Sequence, residues 1–553
     1  MWSPDSKGVR RAGLDATSFS VIIDMKTSVV LLATLAVLGS CTQTNIVLVI
    51  TDDQDLTLGG LMPMEKTQRL IGEAGVTFTN AFVTTPVCCP SRASMLSARY
   101  QHNHLTLNNS LDGGCSNAHW QQNVEPQSWP ALLHDAGYLT FYAGKYLNQY
   151  GEKDAGGTEH VPRGWDWWIG LVGNSRYYNY TLSVNGSSQF HEADYLTDLI
   201  KEYGLEFLKQ RTLLDNKFLM VLAPPASHAP FTAAPIYQDH YKNVTALKTP
   251  NFNVPANTDK HWLLQMSPVP LPDSLLPLLD EVYRHRWETL LSVDDMVEAV
   301  ILQLNSSGLL ENTHVIMTSD HGYHIGQFAL PWDKRQPYEM DIRVPLLVRG
   351  PGIVAGRSVS QPVLNIDLGP TFLDMADLEA PSWMDGTSFL PLLQDTGNLE
   401  DNENRTFLIE YHGEGTNTTI SSDCPFYGDN TVTECSSDVM CKCQDSKNNT
   451  YSCVRVLNPE ENVLFCKFED SLNFMEVYDV NADPYQLTNM ASNLSSADIT
   501  KFTTWLNRLK QCSGSSCQFK LTSSRTSGWQ SEMQMRRERC LTGETPNVCL
   551  KLP

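Results

Sequence analysis

Apolar runs recur along the chain, and each ends abruptly in a polar cluster. Residues 46–50, Ile-Val-Leu-Val-Ile, are apolar without alternation, the pattern of a strand covered on both faces. The run passes directly into Thr51-Asp52-Asp53. Residues 218–222 behave alike and lead to Pro224 and His228, while 315–318 lead into Ser319-Asp320-His321. An apolar stretch at 138–142 precedes Gly144-Lys145. A further strand is expected at 344–348, where Pro345 points to an edge or bulged position. Residues 290–304 place Leu290, Val293, Met296, Val297, Val300, Ile301 and Leu304 on one helical stripe, and 192–209 form a second amphipathic helix. Strands alternating with helices over about 350 residues predict an α/β sandwich with a large, mostly parallel sheet. Ligands of such sheets gather beyond the carboxyl ends of the strands. Asp52, Asp53, Asp320 and His321 all stand there, so they are expected to meet.

After residue 400 the texture changes. A strand at 407–410 is followed by a cysteine-rich loop to 466, a short strand from 477, a turn at Asp483-Pro484-Tyr485 and a helix over 497–510. The expected organisation is an N-terminal extension and leader at 1–41, a catalytic α/β domain at 42–400, a smaller disulfide-stapled α+β domain with an antiparallel sheet at 401–517, and a poorly defined tail at 518–553. No internal repeat is present.

With 41% hydrophobic and 18% charged residues, the 553-residue chain has material for a large core, which excludes a wholly disordered chain or a fibre. Its 40 basic and 62 acidic residues give a net charge of −22, with no long basic run, which excludes a nucleic-acid partner. Residues 28–38, Ser-Val-Val-Leu-Leu-Ala-Thr-Leu-Ala-Val-Leu, follow Met25-Lys26 and precede Gly39-Ser40, as in a secretory signal peptide cleaved near 39–43. The run is shorter than the roughly 20 apolar residues of a membrane span, so no stable membrane insertion is expected. The polar residues before Met25 mark Met25 as the working initiator or the start as an extension. Leu38-Gly39-Ser40-Cys41 has the form of a bacterial lipoprotein signal. Against that reading stand nine glycosylation sequons, at Asn108, Asn179, Asn185, Asn243, Asn305, Asn404, Asn417, Asn448 and Asn493. Of 14 cysteines, Cys424, Cys435, Cys441, Cys443, Cys453 and Cys466 crowd one stretch. They read as a disulfide framework of an oxidising compartment, because the paired Cys-x-x-Cys spacing of a zinc site is missing. Cys512 and Cys517 are expected to close a small loop.

The sharpest motif is Cys88-Cys89-Pro90-Ser91-Arg92. Pro90 suits the first turn of a helix, whose N–H groups can receive an anion, and Arg92 adds a bidentate donor. A vicinal cysteine pair serving disulfides is the competing explanation. Cys88-x-Pro90-x-Arg92 resembles the signature of the type I sulfatases, in which the first cysteine is oxidised to formylglycine. The resemblance spans roughly residues 44–510 and includes Thr51-Asp52-Asp53, Gly144-Lys145, Ser227-His228-Ala229-Pro230 and Ser319-Asp320-His321-Gly322. Asp479 to Tyr485 resembles a late family pattern, with Gln486 in place of its acid. Within the family, His102-Asn103-His104, Gly144-Lys145-Tyr146-Leu147-Asn148 and Asp333-Lys334-Arg335-Gln336 point to the branch acting on 6-sulfated N-acetylglucosamine.

The resemblance implies an alkaline-phosphatase-like sandwich. Cys88 becomes the formylglycine nucleophile, and Asp52, Asp53, Asp320 and His321 hold one divalent ion beside it, Ca2+ in this family. Carboxylates suit such a hard cation; the imidazole suits it less well. The aldehyde hydrate attacks sulfur through one hydroxyl, and loss of the proton from the second expels sulfate. Arg92, Lys145 and Lys334 neutralise sulfuryl oxygens, and His228 donates the proton to the leaving sugar oxygen. Three features depart from the family. Leu147 stands where many members carry histidine, Ala98 stands where glycine is usual, and the tail is not covered. Substrate loops are expected at 102–120, 160–180 and 333–338. The implied activity is exo-hydrolysis of the 6-O-sulfate of terminal N-acetylglucosamine 6-sulfate in heparan and keratan sulfate, in the lysosome with some secretion. The implied partners are sulfated glycosaminoglycan oligosaccharides and the formylglycine-generating enzyme, with a homodimer left open. The alternatives are a sulfatase of other regiospecificity, including an extracellular endosulfatase, an inactive glycan-binding glycoprotein, and a phosphatase or phosphodiesterase on the same scaffold. The endosulfatases carry a long basic insert that this chain lacks. A phosphatase would use Ser or Thr with a fuller zinc-ligand set.

Overall fold

The computed structural model describes residues 44–211, 216–255, 258–394, 404–413 and 442–518. The expected leader, Cys424, Cys435, Cys441, Asn417 and the tail from 519 lie outside the described residues. Ten strands form the main sheet: β1 (Asn45–Thr51), β2 (Val76–Phe78), β3 (Leu139–Gly144), β4 (Trp167–Leu171), β5 (Tyr180–Val184), β6 (Ser187–His191), β7 (Phe218–Ala223), β8 (Thr313–Ser319), β9 (Leu346–Arg349) and β10 (Arg357–Val359). Their order is β10-β2-β9-β8-β1-β7-β3-β4-β5-β6. The centre, β8-β1-β7-β3-β4, is parallel throughout, while β9 and the outer β5 and β6 run antiparallel to their neighbours.

β1 is buried along its whole length. Ile46, Leu48 and Ile50 enter one core with Leu219, Val221 and Ile316; Val47 and Val49 enter the other with Met220, Leu222 and Val315. Both faces being covered, no polar alternation survives in the sequence. Val47 is paired with Met220 on one side and Val315 on the other. A one-residue slip would exchange the faces of every side chain, so this packing fixes which residues reach the strand ends.

The second face is covered by α2 (Leu196–Arg211) and α3 (Leu276–Ser306). The first carries α1 (Cys88–Ser97) and α4 (Leu368–Met375). α3 places Leu290, Val293, Met296, Val297, Val300, Ile301 and Leu304 in the core as expected. It starts at residue 276 rather than 290, because Pro277 fits its first turn and Leu279, Val282, Tyr283 and Trp287 bury in a separate cluster. None of the described helices is long and apolar enough to cross a membrane.

Pro345 gave a misleading signal. β9 is an interior strand between β8 and β2, not an edge. The proline lies one residue upstream, where it removes no ladder donor.

The C-terminal sheet contains β11 (Arg405–Tyr411), β12 (Tyr451–Leu457), β13 (Asn462–Phe468) and β14 (Met475–Asp479), antiparallel in that order. α5 (Ser496–Leu509) lies against it, with Phe502 stacked on Phe465. β12 and β13 correct the expectation of a continuous loop to 466. Their alternation is disguised by Cys453, Cys466 and the fully buried Arg455. Cys453 and Cys466 are direct cross-strand neighbours and form a disulfide; Cys512–Cys517 closes its small loop, and Cys443 is also disulfide-bonded. The hydrophobic side of this sheet joins the same core as α1 and β1.

Candidate active site

Four adjacent strands deliver the site. β8 ends at Asp320 and His321, β1 at Asp52 and Asp53, and β3 at Lys145; the segment after β7 supplies Ser227 and His228. α1 brings Cys88 as its first residue, after extended Val87, and Lys334 follows the short strand Trp332–Asp333. The structure therefore brings all nine expected residues together, none more than 4% exposed. Cys89 bonds to Cys115, which leaves Cys88 as the free buried thiol among the described residues and removes the vicinal-disulfide explanation.

Each acid has a dedicated cation. Lys145 Nζ lies 3.0 and 2.8 Å from the two oxygens of Asp52. Lys334 Nζ lies 3.0 Å from each oxygen of Asp53. Arg92 Nε donates to Asp320 Oδ2 at 2.8 Å, its Nη1 donates to the Lys145 carbonyl at 2.8 Å, and its Nη2 stands 3.4 Å from Asp52. Arg92 thus ties the ends of β8, β3 and β1 to α1. Burial alone would raise the Asp52 and Asp53 carboxyls. Lys145, His228 and Arg92 instead hold Asp52 well below the usual range, and Lys334 with the two histidines holds Asp53 at about 2. Burial pushes Asp320 up to about 7, although Arg92 and the N–H groups of Asp53 and His321, both at 3.0 Å, all donate to its carboxylate. Burial likewise opposes ionisation of Cys88, but Lys145, Lys334 and His321 drive its thiol well below the ordinary value.

The donor set fits a hard divalent cation. Ligand atoms of Asp52, Asp53, Cys88 and His228, and of Asp52, Cys88, Asp320 and His321, form two overlapping groups, each within 4.8 Å. His321 Nδ1 donates to the Gly322 carbonyl at 2.9 Å, so Nε2 faces the cluster and would give up its proton to coordinate a cation. That nitrogen lies 3.4 Å from Cys88 Sγ and 3.3 Å from Asp53. His228 Nδ1 is similarly occupied by the Ala229 carbonyl at 2.7 Å. Three carboxylates oppose three buried cations, so a divalent ion would leave the site electropositive and receptive to an anionic ester.

Several site residues carried no sequence signal. Ser175 donates to Asp52 from a polar loop without a motif. Arg286, inside α3, donates to the Asp53 carbonyl at 2.8 Å and to Asp55 at 2.9 Å, and packs 3.9 Å above Tyr323. It supports Asp53 in a left-handed backbone conformation, φ 63°. Leu147, at the histidine position of many family members, is fully buried in the core and makes no polar contribution. Ala98 does adopt the left-handed conformation that favours glycine, φ 57°, at the end of α1. Among the expected substrate loops, Trp165, Trp168, Tyr177 and Tyr180 are buried packing residues, and Arg335 pairs with Asp333 inside the fold.

The family model for sulfatases matches residues 44–378. Human N-acetylglucosamine-6-sulfatase is 48% identical over 499 residues, covering 87% of this chain and 89% of that protein. The goat protein of the same name is 48% identical over 86% of this chain and 84% of its own length. The extracellular sulfatase SULF-1 homolog of Drosophila melanogaster is 42% identical over 67% of this chain but only 33% of its own. Among solved structures, that of BT4656 with its substrate D-glucosamine-2-N,6-O-disulfate superposes with a TM-score of 0.66 at 21% identity, covering 84% of this chain and 97% of the other, a likeness of fold. The matched segment contains every strand end that builds the acid–lysine cluster around Cys88, and on that ground the chain belongs to the sulfatase family.

Proposed function

We propose that this enzyme hydrolyses the 6-O-sulfate ester of N-acetylglucosamine 6-sulfate at the end of heparan and keratan sulfate chains. The observation that carries the chemistry is the free Cys88 thiol at the start of α1, surrounded by Asp52, Asp320, Lys145, Lys334 and His321. The sugar and the position of the ester rest on near full-length similarity to relatives named N-acetylglucosamine-6-sulfatase. The extracellular relatives align over a third to a half of their own length, which favours the compact exo-acting reading.

Oxidised to formylglycine and hydrated, residue 88 supplies one hydroxyl for attack on sulfur and a second whose deprotonation releases sulfate as the carbonyl re-forms. Asp52, Asp53, Asp320 and His321 would hold one divalent cation, Ca2+ by family resemblance, which supplies Lewis-acid stabilisation of the sulfate oxygens. Lys145 and Lys334, anchored on Asp52 and Asp53, present positive charge to the ester and to residue 88. Arg92 holds the strand ends in register with α1. With Nδ1 committed to Ala229, His228 offers its other nitrogen to protonate the leaving sugar oxygen.

A secretory route to the lysosome fits the disulfides and the exposure of Asn179, Asn185, Asn243, Asn305, Asn404 and Asn493; Asn108 and Asn448 are half-buried. Cys88 has no exposed surface, so the formylglycine-generating enzyme would act before the fold closes. Assay of terminal N-acetylglucosamine carrying sulfate at O6, O3 or N tests the reading. Preference for the O6 ester is expected, and equal or greater turnover of another isomer would overturn the assignment.

A further inference from the structure

The two adjacent acids after β1 pose a geometric problem. In an extended chain neighbouring side chains point to opposite faces, yet ligand atoms of Asp52 and Asp53 lie within 4.8 Å of each other in the cluster around Cys88. The chain solves it by leaving the extended conformation at Asp53, whose φ is 63°. That left-handed conformation is unfavourable for a residue with a Cβ, so it needs bonds that hold it. The Asp53 N–H donates to Asp320 Oδ1 at 3.0 Å, and Lys334 holds the carboxylate. The remaining group, the carbonyl, accepts from Arg286 Nη2 at 2.8 Å and from the Ser227 hydroxyl at a longer 3.4 Å.

Arg286 reaches that carbonyl from the first half of α3, the part that runs ahead of the core stripe. The helix is fastened there to the same loop: Tyr283 donates to the Leu58 carbonyl at 2.6 Å, and the Tyr283 and Trp287 rings pack with centres 4.8 Å apart. Arg286 Nη2 also donates to Asp55 Oδ1 at 2.9 Å, and the other oxygen of Asp55 accepts from the N–H groups of Leu58 at 2.8 Å and Gly60 at 3.2 Å. The guanidinium lies 3.9 Å above the buried ring of Tyr323, two residues after His321, and Lys334 Nζ is 5.8 Å from the same ring. One side chain thus touches both the loop after β1 and the loop after β8, which carry the four expected cation ligands. As a permanent cation with donors alone, it cannot itself be a ligand.

We infer that Arg286 is a positioning residue: its bond to the Asp53 carbonyl turns the second acid into the cation site. The inference rests on the cation reading given above. Removing Arg286 alone would strand Asp55 as a buried charge, so the test is made on an Asp55→Asn background, where that charge is gone. Isothermal titration of Ca2+ into the full chain, freed of metal with EGTA and desalted, gives Kd for the wild type, for Asp55→Asn and for the double variant Asp55→Asn, Arg286→Met. Asp55→Asn is expected to bind Ca2+ as the wild type does, because Arg286 still donates to Asp53. The added Arg286→Met is expected to raise Kd about tenfold or more. Sulfate-ester turnover by the double variant is expected to fall at limiting Ca2+ and to be largely regained at saturating Ca2+, a dependence that a purely structural role would not produce. Equal Kd values in the single and double variants would overturn the inference: if both match the wild type, Arg286 does not act on the site, and if both are weakened, the effect belongs to the loop around Asp55. Absence of Ca2+ binding by the wild type would instead overturn the cation reading, and the inference with it.

Discussion

Lys334 Nζ sits symmetrically on the carboxylate of Asp53, 3.0 Å from each oxygen, and both side chains are buried. The pair joins the end of β1 to the loop after Trp332–Asp333. Removing one partner strands a buried charge, which costs about 3–5 kcal/mol. Lys334→Met is therefore expected to lower the unfolding free energy read from urea titration by an amount of that order and to reduce kcat by about a hundredfold or more. Wild-type kcat in this variant would remove Lys334 from the catalytic account.

The three carboxylates and His321 predict a bound cation that stabilises the fold. At a cation concentration of 100 times Kd, stabilisation of about 2.7 kcal/mol is expected. Chelation by EGTA should lower the melting temperature of the wild type, and added Ca2+ should restore it. Asp53→Asn should show little change under either condition. A melting temperature indifferent to chelator in the wild type contradicts the cation site.

Acidification acts on histidines far from that site in opposite directions. Burial, with added repulsion from His102, Arg99 and His119, lowers His104 from 6.5 to about 3; burial lowers His314 to about 4. A depressed histidine gives its full stability above the unfolded pKa and loses it as pH falls toward the folded value. At pH 5, roughly 1.5 units below 6.5, each costs about 2 kcal/mol. His102 runs the other way. Burial opposes its charge, but Glu410 at 2.9 Å and the Cys512 carbonyl at 2.9 Å accept from its two nitrogens and raise it. Its contribution is present below 6.5 and fades as pH rises through the raised value. Urea midpoints at pH 7.5 and pH 5 should differ less in His104→Gln than in the wild type, and an unchanged difference would refute the assignment.

How much of this was readable beforehand depended on how local each cause was. β1, β7 and β8 were visible because burial on both faces leaves uninterrupted apolar runs, and the acids closing those runs located one wall of the site. β12 and β13 were hidden because cysteines and buried Arg455 replaced the expected alternation. Arg286 and Ser175 were invisible for another reason. Their partners, Asp53 and Asp52, lie more than a hundred residues away, and no short motif encodes such a contact. Pro345 misled because a proline just before a strand has the same local signature as one inside it.

The Cys89–Cys115 bridge anchors the second residue of α1 to a loop 26 residues on. Cys115→Ser should lower stability by about 3.5 kcal/mol by the loop-entropy relation. It should also reduce kcat by loosening the position of residue 88. Loss of stability with kcat unchanged would show that the bridge serves the fold alone.

The central claim is that residue 88 works as an aldehyde rather than a thiol. Mass spectrometry of the peptide containing Cys88, from chain secreted by cells that possess the formylglycine-generating enzyme, tests this directly when the same samples are assayed for sulfate release. The account predicts an aldehyde at residue 88, with activity proportional to the converted fraction and none in Cys88→Ala. Full activity from a sample in which residue 88 is entirely unmodified cysteine would contradict it.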